Sequence, residues 1–253
     1  MDLSKAMKER HSVRAFKDEP IAEEAISALN EAIKECNEEG GLHFQLVLNE
    51  PQAFGGLMAR YGSFSGVKNY VAFIGKKGKD IDEKIGYYGA KVMLVAQAAG
   101  LNSCWVALTY KKVKTAYEIA EGEKLYSVLA LGYGVTQGVP HKNKPEKTLI
   151  NRGVATARKA TANVKETTAT AAEVGGTDTA TADAGVPEWF DRGARAAMLA
   201  PTATNQQRFY ISYEGGNMAK AVAKSGFYSR MDLGIVKYFF ELGAGKENFV
   251  WTE

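Results

Sequence analysis

Between residues 154 and 185 the chain carries no phenylalanine, tyrosine or tryptophan and is dominated by alanine and threonine, with Gly175-Gly176 near its middle. Such a composition cannot bury enough apolar surface to order itself. The stretch therefore reads as a linker, and it divides the 253 residues into an N-terminal half at 1–153 and a shorter C-terminal half at 186–253. Whatever the fold, its core must be built from these two pieces.

Within them helical and strand patterns alternate, so both element types build the core, and the expected class is α+β. Leu3, Ala6 and Met7 mark one face of a short helix. After Pro20, the apolar positions Ile21, Ala25, Leu29 and Ile33 recur at helical spacing, with Glu23 and Glu24 where the helix dipole favours acids, and Gly40-Gly41 as a stop. Phe44–Leu48 and Tyr70–Gly75 read as strands, with a helix predicted over 52–60 between them. Ile85, Val92, Val95 and Ala99 define a long helix ending at Gly100, on which Gly86, Gly89 and Ala90 leave room for a neighbouring backbone. Ser103–Leu108 and Leu125–Leu131 read as further strands separated by a short helix over 113–120. Past Pro187 come a helix through Trp189, Ala194 and Met198, a strand over 209–213 and a helix over 233–242. The run Gly89-Ala90-Lys91-Val92, leading on to Gly100 and Trp105, is echoed one residue out of step by Gly234-Ile235-Val236-Lys237, leading on to Gly245 and Trp251. This suggests a degenerate duplication.

Charge excludes some functions. With 32 basic and 29 acidic residues the formal net charge is +3, too balanced for an obligate nucleic-acid binder. Only Cys36 and Cys104 occur, each in an apolar stretch, which argues for reduced thiols in a cytoplasmic setting. The N-terminus lacks the apolar core of a signal peptide, and no run approaches the ~18 apolar residues of a spanning helix, so no membrane partner is expected.

Four segments could carry chemistry. Arg10-His11-Ser12-Val13-Arg14 sets two guanidinium forks and a hydroxyl within five residues, a donor set suited to a phosphate, although a solvated basic helix end has the same look. Pro201-Thr202-Ala203-Thr204-Asn205-Gln206-Gln207 packs hydroxyls and amides without acids, as a heteroaromatic ring with carbonyls requires, or as an ordinary capped loop does. Gly100-Leu101-Asn102-Ser103-Cys104-Trp105 joins helix to strand, where free backbone N–H groups gather. Leu131-Gly132-Tyr133-Gly134 leads into His141-Lys142-Asn143-Lys144-Pro145, a second basic cluster. The three histidines lack partners at metal-ligand or triad spacing, and His43 reads as structural. Phe227, Tyr228, Tyr238, Phe239 and Phe240 read as core rather than pocket.

Arg10-His11-Ser12-Val13-Arg14-Ala15-Phe16 resembles the N-terminal Arg-Arg-Ser-Val-Arg-x-Phe signature of the FMN-dependent nitroreductase family. Ala200-Pro201-Thr202-Ala203-Thr204-Asn205-Gln206-Gln207 resembles that family's Ala-Pro-Ser-Ala-x-Asn-x-Gln motif, and Gly132-Tyr133 with Lys142-Asn143-Lys144-Pro145 its late segment. In ordinary members the second motif follows the first long helix, whereas here it appears after residue 200. That order is similar to a subgroup carrying two related halves in one chain.

The resemblance implies a nitroreductase-like fold, with a central, mostly antiparallel sheet flanked by helices, arranged as an internal pseudo-dimer. It also implies FMN held between the first half and the C-terminal segment. Arg10, His11, Ser12 and Arg14 would meet the phosphate and ribityl chain, with Lys142 and Lys144 adding phosphate contacts. Pro201, Thr202, Thr204 and Asn205 would line the ring, and backbone at Trp105, Val106 and Ala107 would approach its redox edge. The activity implied is electron transfer from NAD(P)H to a small oxidised acceptor such as a nitroaromatic or quinone, by a ping-pong mechanism without a side-chain nucleophile. The partners are small molecules, and the chain is expected as a monomer or homodimer. A non-catalytic FMN sensor or reservoir, and a phosphoryl-ligand protein without flavin, share the same residues.

Overall fold

The computed structural model describes residues 1–153 and 185–253, so the segment read as a linker at 154–185 lies, but for its last residue, outside the described residues. The N-terminal half runs α1 (Leu3–Glu9), α2 (Glu23–Gly40), β1 (Gln45–Val47), α3 (Leu57–Tyr61), β2 (Asn69–Lys76), α4 (Ile81–Ala98), β3 (Asn102–Val106), β4 (Glu123–Gly132) and β5 (Ile150–Asn151). The C-terminal half runs α5 (Glu188–Ala197), β6 (Phe209–Gly215), β7 (Met218–Ala223), α6 (Ser229–Ala244) and β8 (Val250–Thr252).

Local chemistry accounts for the first elements. Asp2 accepts a hydrogen bond from the Lys5 N–H and so caps α1. The α2 helix carries Glu23 and Glu24 in its first turn, buries Ala25, Leu29, Ala32, Ile33 and Cys36 along one stripe, and ends where Gly41 takes φ 61°.

The strands form two four-stranded sheets, β1-β2-β4-β3 and β5-β6-β7-β8. The first is antiparallel throughout; in the second, β6 and β7 are antiparallel while β5 and β8 pair in parallel. Four of the six strand pairings are antiparallel, in keeping with the mostly antiparallel expectation, although the strands lie in two sheets. Strand β5, which ends the N-terminal half, pairs Ile150 with Ile211 in the second sheet and stitches the halves together.

Strand β2 is buried on both faces. Val71 and Phe73 enter the main core with α4, while Tyr70, Ala72 and Ile74 enter a smaller core with Val13, Phe54 and Tyr110. This double burial explains why the strand reads as an unbroken apolar run. The main core continues without a break through Phe190, Phe209, Phe239 and Phe240 of the C-terminal half.

Helices α4 and α6 cross at Gly86 and Gly234. Of the small residues singled out on α4, Gly86 admits the backbone of α6, whereas Gly89 admits a side chain, because a Cβ there would stand 2.5 Å from the Trp105 ring.

Three expectations need correction. The segment 113–120 contains no helix. Tyr110, Val113 and Tyr117 imitate helical spacing but are buried by loop packing, and Gln45 holds both the N–H and the carbonyl of Glu118. The helix predicted over 52–60 breaks at Gly55-Gly56 into a 3-10 turn at Gln52–Phe54 and the short α3. Strands β7 and β8 carry too few buried side chains to show an alternating pattern, and the sequence reading missed both.

Candidate functional site

Arg10 closes α1 through its backbone N–H to the Ala6 carbonyl, and the chain then runs extended. The Val13 N–H donates to the Ser103 carbonyl at 3.0 Å, which lays the segment alongside β3. Arg10, His11, Ser12 and Arg14 thereby enter the wall of a cleft of about 830 Å3. The end of β3 contributes Cys104 to Thr109, the loop after α5 contributes Pro201 to Asn205, and the start of α6 contributes Met231, Asp232 and Ile235. Segments far apart in sequence and from both halves share one cavity.

The wall is electropositive. Arg10 is 4% exposed, its Nε has no hydrogen-bond partner among the described residues, and burial pushes its guanidinium down to about 10. A buried donor without an acceptor is costly, and an anion in this corner would relieve that cost. Burial, then Arg10 and His141, lowers the His11 imidazole below its ordinary value. Arg14 lies 5.9 Å over the Phe64 ring. Among the described residues lining the cleft, Asp232 is the one acid.

The loop after α5 is held in an unusual shape. Thr204, Asn205 and Gln207 take φ of 50°, 54° and 45°, a region that side chains other than glycine's seldom occupy. Its polar groups bond inward: Gln207 N–H to Thr202 Oγ1 at 3.0 Å, and Asn205 Nδ2 and Gln207 Nε2 each to the Lys142 carbonyl at 2.8 Å. Ala203 N–H and Gln206 Nε2 donate to the two oxygens of Asp232, each at 2.9 Å.

Of the residues singled out from sequence, Arg10, His11, Ser12, Arg14, Trp105, Val106, Ala107, Pro201, Thr202, Thr204 and Asn205 line the cleft. Lys142 and Lys144 do not: both are exposed, and the Lys144 ammonium donates to the Gln206 carbonyl. They brace the loop from outside.

Sequence reasoning missed Phe64, Asp232 and the aromatic pair Phe227 and Tyr228. Phe239 and Phe240 are fully buried, as expected of core residues, but Phe227 is 83% exposed and lines the cleft with Tyr228. Tyr228 takes φ 54° and precedes α6, so this pair lies off the helical face that buries the others. Gly226, just ahead of them, was the available signal. His43 is structural as read, with Nδ1 2.8 Å from Glu123 Oε2.

A family model described as "Putative TM nitroreductase" matches residues 2–173 and 178–244. The chain is similar to a solved structure titled a putative nitroreductase from Thermotoga maritima, at 18% identity and TM-score 0.61, over 98% of this chain and 85% of that one. That likeness establishes the fold. A structure titled a putative nitroreductase in complex with FMN, from Desulfovibrio desulfuricans, matches 59% of this chain and 95% of its own at 17% identity and TM-score 0.46. An FMN-dependent nitroreductase from Clostridium difficile matches 52% of this chain and 87% of its own at 17% identity and TM-score 0.42. No curated protein matches the sequence.

Proposed function

Because the chain belongs to the TM nitroreductase family, we propose that it is an FMN-dependent oxidoreductase passing electrons from NAD(P)H to a small oxidised acceptor such as a nitroaromatic or quinone. The observation that carries the reading is Arg10, a buried guanidinium with an unpartnered Nε on the wall of a cleft large enough for a cofactor. Arg10, with His11, Ser12 and Arg14 beside it, supplies the donors a phosphate monoester needs. The loop from Pro201 to Asn205 spends most of its polar groups on its own shape, but the Thr202 hydroxyl, which accepts from the Gln207 N–H, keeps its own O–H to donate to a carbonyl or ring nitrogen of an isoalloxazine, and with the Arg10 corner this fits FMN.

When bound, FMN supplies reversible two-electron chemistry that no side chain of this chain can perform. The protein's own part is to bind, orient and dry the site. Arg10 and Arg14 fix the phosphate end, with Lys142 and Lys144 bracing the neighbouring loop. Phe64, Val106, Met231 and Ile235 present apolar surface that excludes water from the cleft. Phe227 and Leu108, 83% and 66% exposed along the cleft, offer apolar contact to a planar guest. Donor and acceptor would use the same opening in turn, as a ping-pong scheme requires. Residues of both halves line the cleft within one chain, which suits a monomer or a homodimer acting on small molecules. No described helix is long and apolar enough to cross a membrane.

The test is an absorbance spectrum after incubation with FMN and gel filtration, followed by anaerobic NADH or NADPH. Retained flavin bands that bleach support the reductase. Retained bands that do not bleach favour a non-catalytic flavin protein, and no retained flavin overturns the cofactor assignment.

A further inference from the structure

We propose that Asp232 is a positioning residue that clamps the loop over 202–207 into the shape the cofactor cleft requires. The proposal rests on the FMN reading for its functional consequence, but the clamp itself stands on geometry. Asp232 is 3% exposed and is the fourth residue of α6. Its Oδ1 accepts from the Ala203 N–H and its Oδ2 from Gln206 Nε2, each at 2.9 Å, so both oxygens are spent on the loop.

The loop needs such a clamp because its conformation is intrinsically unfavourable. Thr204, Asn205 and Gln207 all occupy the left-handed region, and residues held there persist only where their surroundings over-determine them. Lys142 and Thr202 tie down the far end, at Asn205 and Gln207. Asp232 ties Ala203 and Gln206 to a helix. That helix is itself immobilised, since the carbonyl of the preceding residue, Met231, lies against Gly86 of α4. The loop is thus indexed on the crossing between the halves, and Asp232 is the side chain that transmits the index. Its chemistry also sets it apart within the wall. In a cleft whose described cationic side chains are Arg10 and Arg14, a carboxylate works against anion binding unless loop donors satisfy it.

The experiment compares Asp232→Ala, Asp232→Asn, Gln206→Ala and the Asp232→Ala/Gln206→Ala double variant. FMN affinity is read by quenching of flavin fluorescence, and amide hydrogen exchange over 203–207 is read on the protein without FMN. Asp232→Ala is expected to weaken FMN about tenfold or more and to speed exchange in the loop alone. Asp232→Asn keeps an acceptor for the Ala203 N–H and should recover most of that loss. In the double variant, Gln206→Ala should add little to Asp232→Ala, because the two residues act through one interaction. Unchanged affinity and exchange in Asp232→Ala, or fully additive losses without rescue by asparagine, overturn the clamp. Should Asp232→Ala fail to fold, Asp232→Asn and Gln206→Ala decide the question through loop exchange. Should the wild-type protein bind no FMN, the cofactor reading falls while the exchange measurements still judge the clamp.

Discussion

Gly86 and Gly234 face each other reciprocally. Each is the sixth residue of its helix, and each meets the backbone of the third residue of the other. A Cβ on Gly86 would stand 1.9 Å from the Met231 carbonyl oxygen, and one on Gly234 would stand 2.0 Å from that of Glu83. Such a self-complementary contact is what a two-fold axis produces between identical subunits. Here one chain makes it with itself, which gives the internal pseudo-dimer a definite centre.

Gly86→Ala and Gly234→Ala are each expected to destabilise the protein by about 3 kcal/mol or more, because a carbonyl oxygen rather than a flexible side chain must move. Alanine is otherwise the better helix residue by about 1 kcal/mol, so the sign of the effect is diagnostic. Urea unfolding measures it, and a neutral or stabilising result removes the crossing from its central place.

Arg10→Gln should weaken FMN about tenfold or more while leaving the cofactor-free protein as stable, or more stable by about 1 kcal/mol. The opposed signs follow from a buried charge whose Nε lacks a partner until an anion arrives. Fluorescence titration and thermal unfolding of the same sample read both effects. Lost stability without lost affinity contradicts the assignment.

Burial raises the Asp232 carboxyl from 3.8 to about 6, against the pull of its bonds to Gln206 and the Ala203 N–H. The folded state therefore holds this proton more tightly than the unfolded one, and the residue's contribution to stability falls as pH rises from about 4 to about 6, then levels off. Relative to Asp232→Asn, wild-type stability should drop by up to about 3 kcal/mol across that window, with no further change to pH 8. Denaturant unfolding at pH 4, 5, 6 and 8, roughly spanning that range, tests it. A difference that grows in favour of the wild type as pH rises reverses the sign and refutes it.

Cys36 and Cys104 are buried and unpaired, and burial pushes the Cys36 thiol up to about 12 and that of Cys104 upward as well. Neither should react with a thiol reagent at neutral pH in the folded protein, and both should react on unfolding. A thiol that titrates rapidly in the native state contradicts the packing around it.

The legible part of the fold was what local pattern controls. The stripe of Ala25, Leu29 and Ile33, the apolar run of β2 and the glycine-marked α4 announce themselves because burial imposes a period on neighbouring residues. The false helix over 113–120 shows the limit, since Tyr110, Val113 and Tyr117 keep helical spacing while sitting in a loop. Strands β7 and β8 stayed hidden for the opposite reason, as they expose too much of themselves to carry a pattern.

The candidate site divides in the same way. Its contiguous pieces, Arg10 to Arg14 and Pro201 to Asn205, could be read directly, because adjacent residues of suitable chemistry form a motif wherever the chain takes them. Asp232 could not, since nothing near it in sequence shows that its carboxylate meets Ala203 and Gln206. Nor could Gly86 be matched with Gly234 before their helices crossed. Short-range order carries the family resemblance and the donor-rich segments, and it suggests the division into two halves. Which segments share a cleft, and that Asp232 braces the loop, depend on long-range packing that brings distant backbone within a few ångströms.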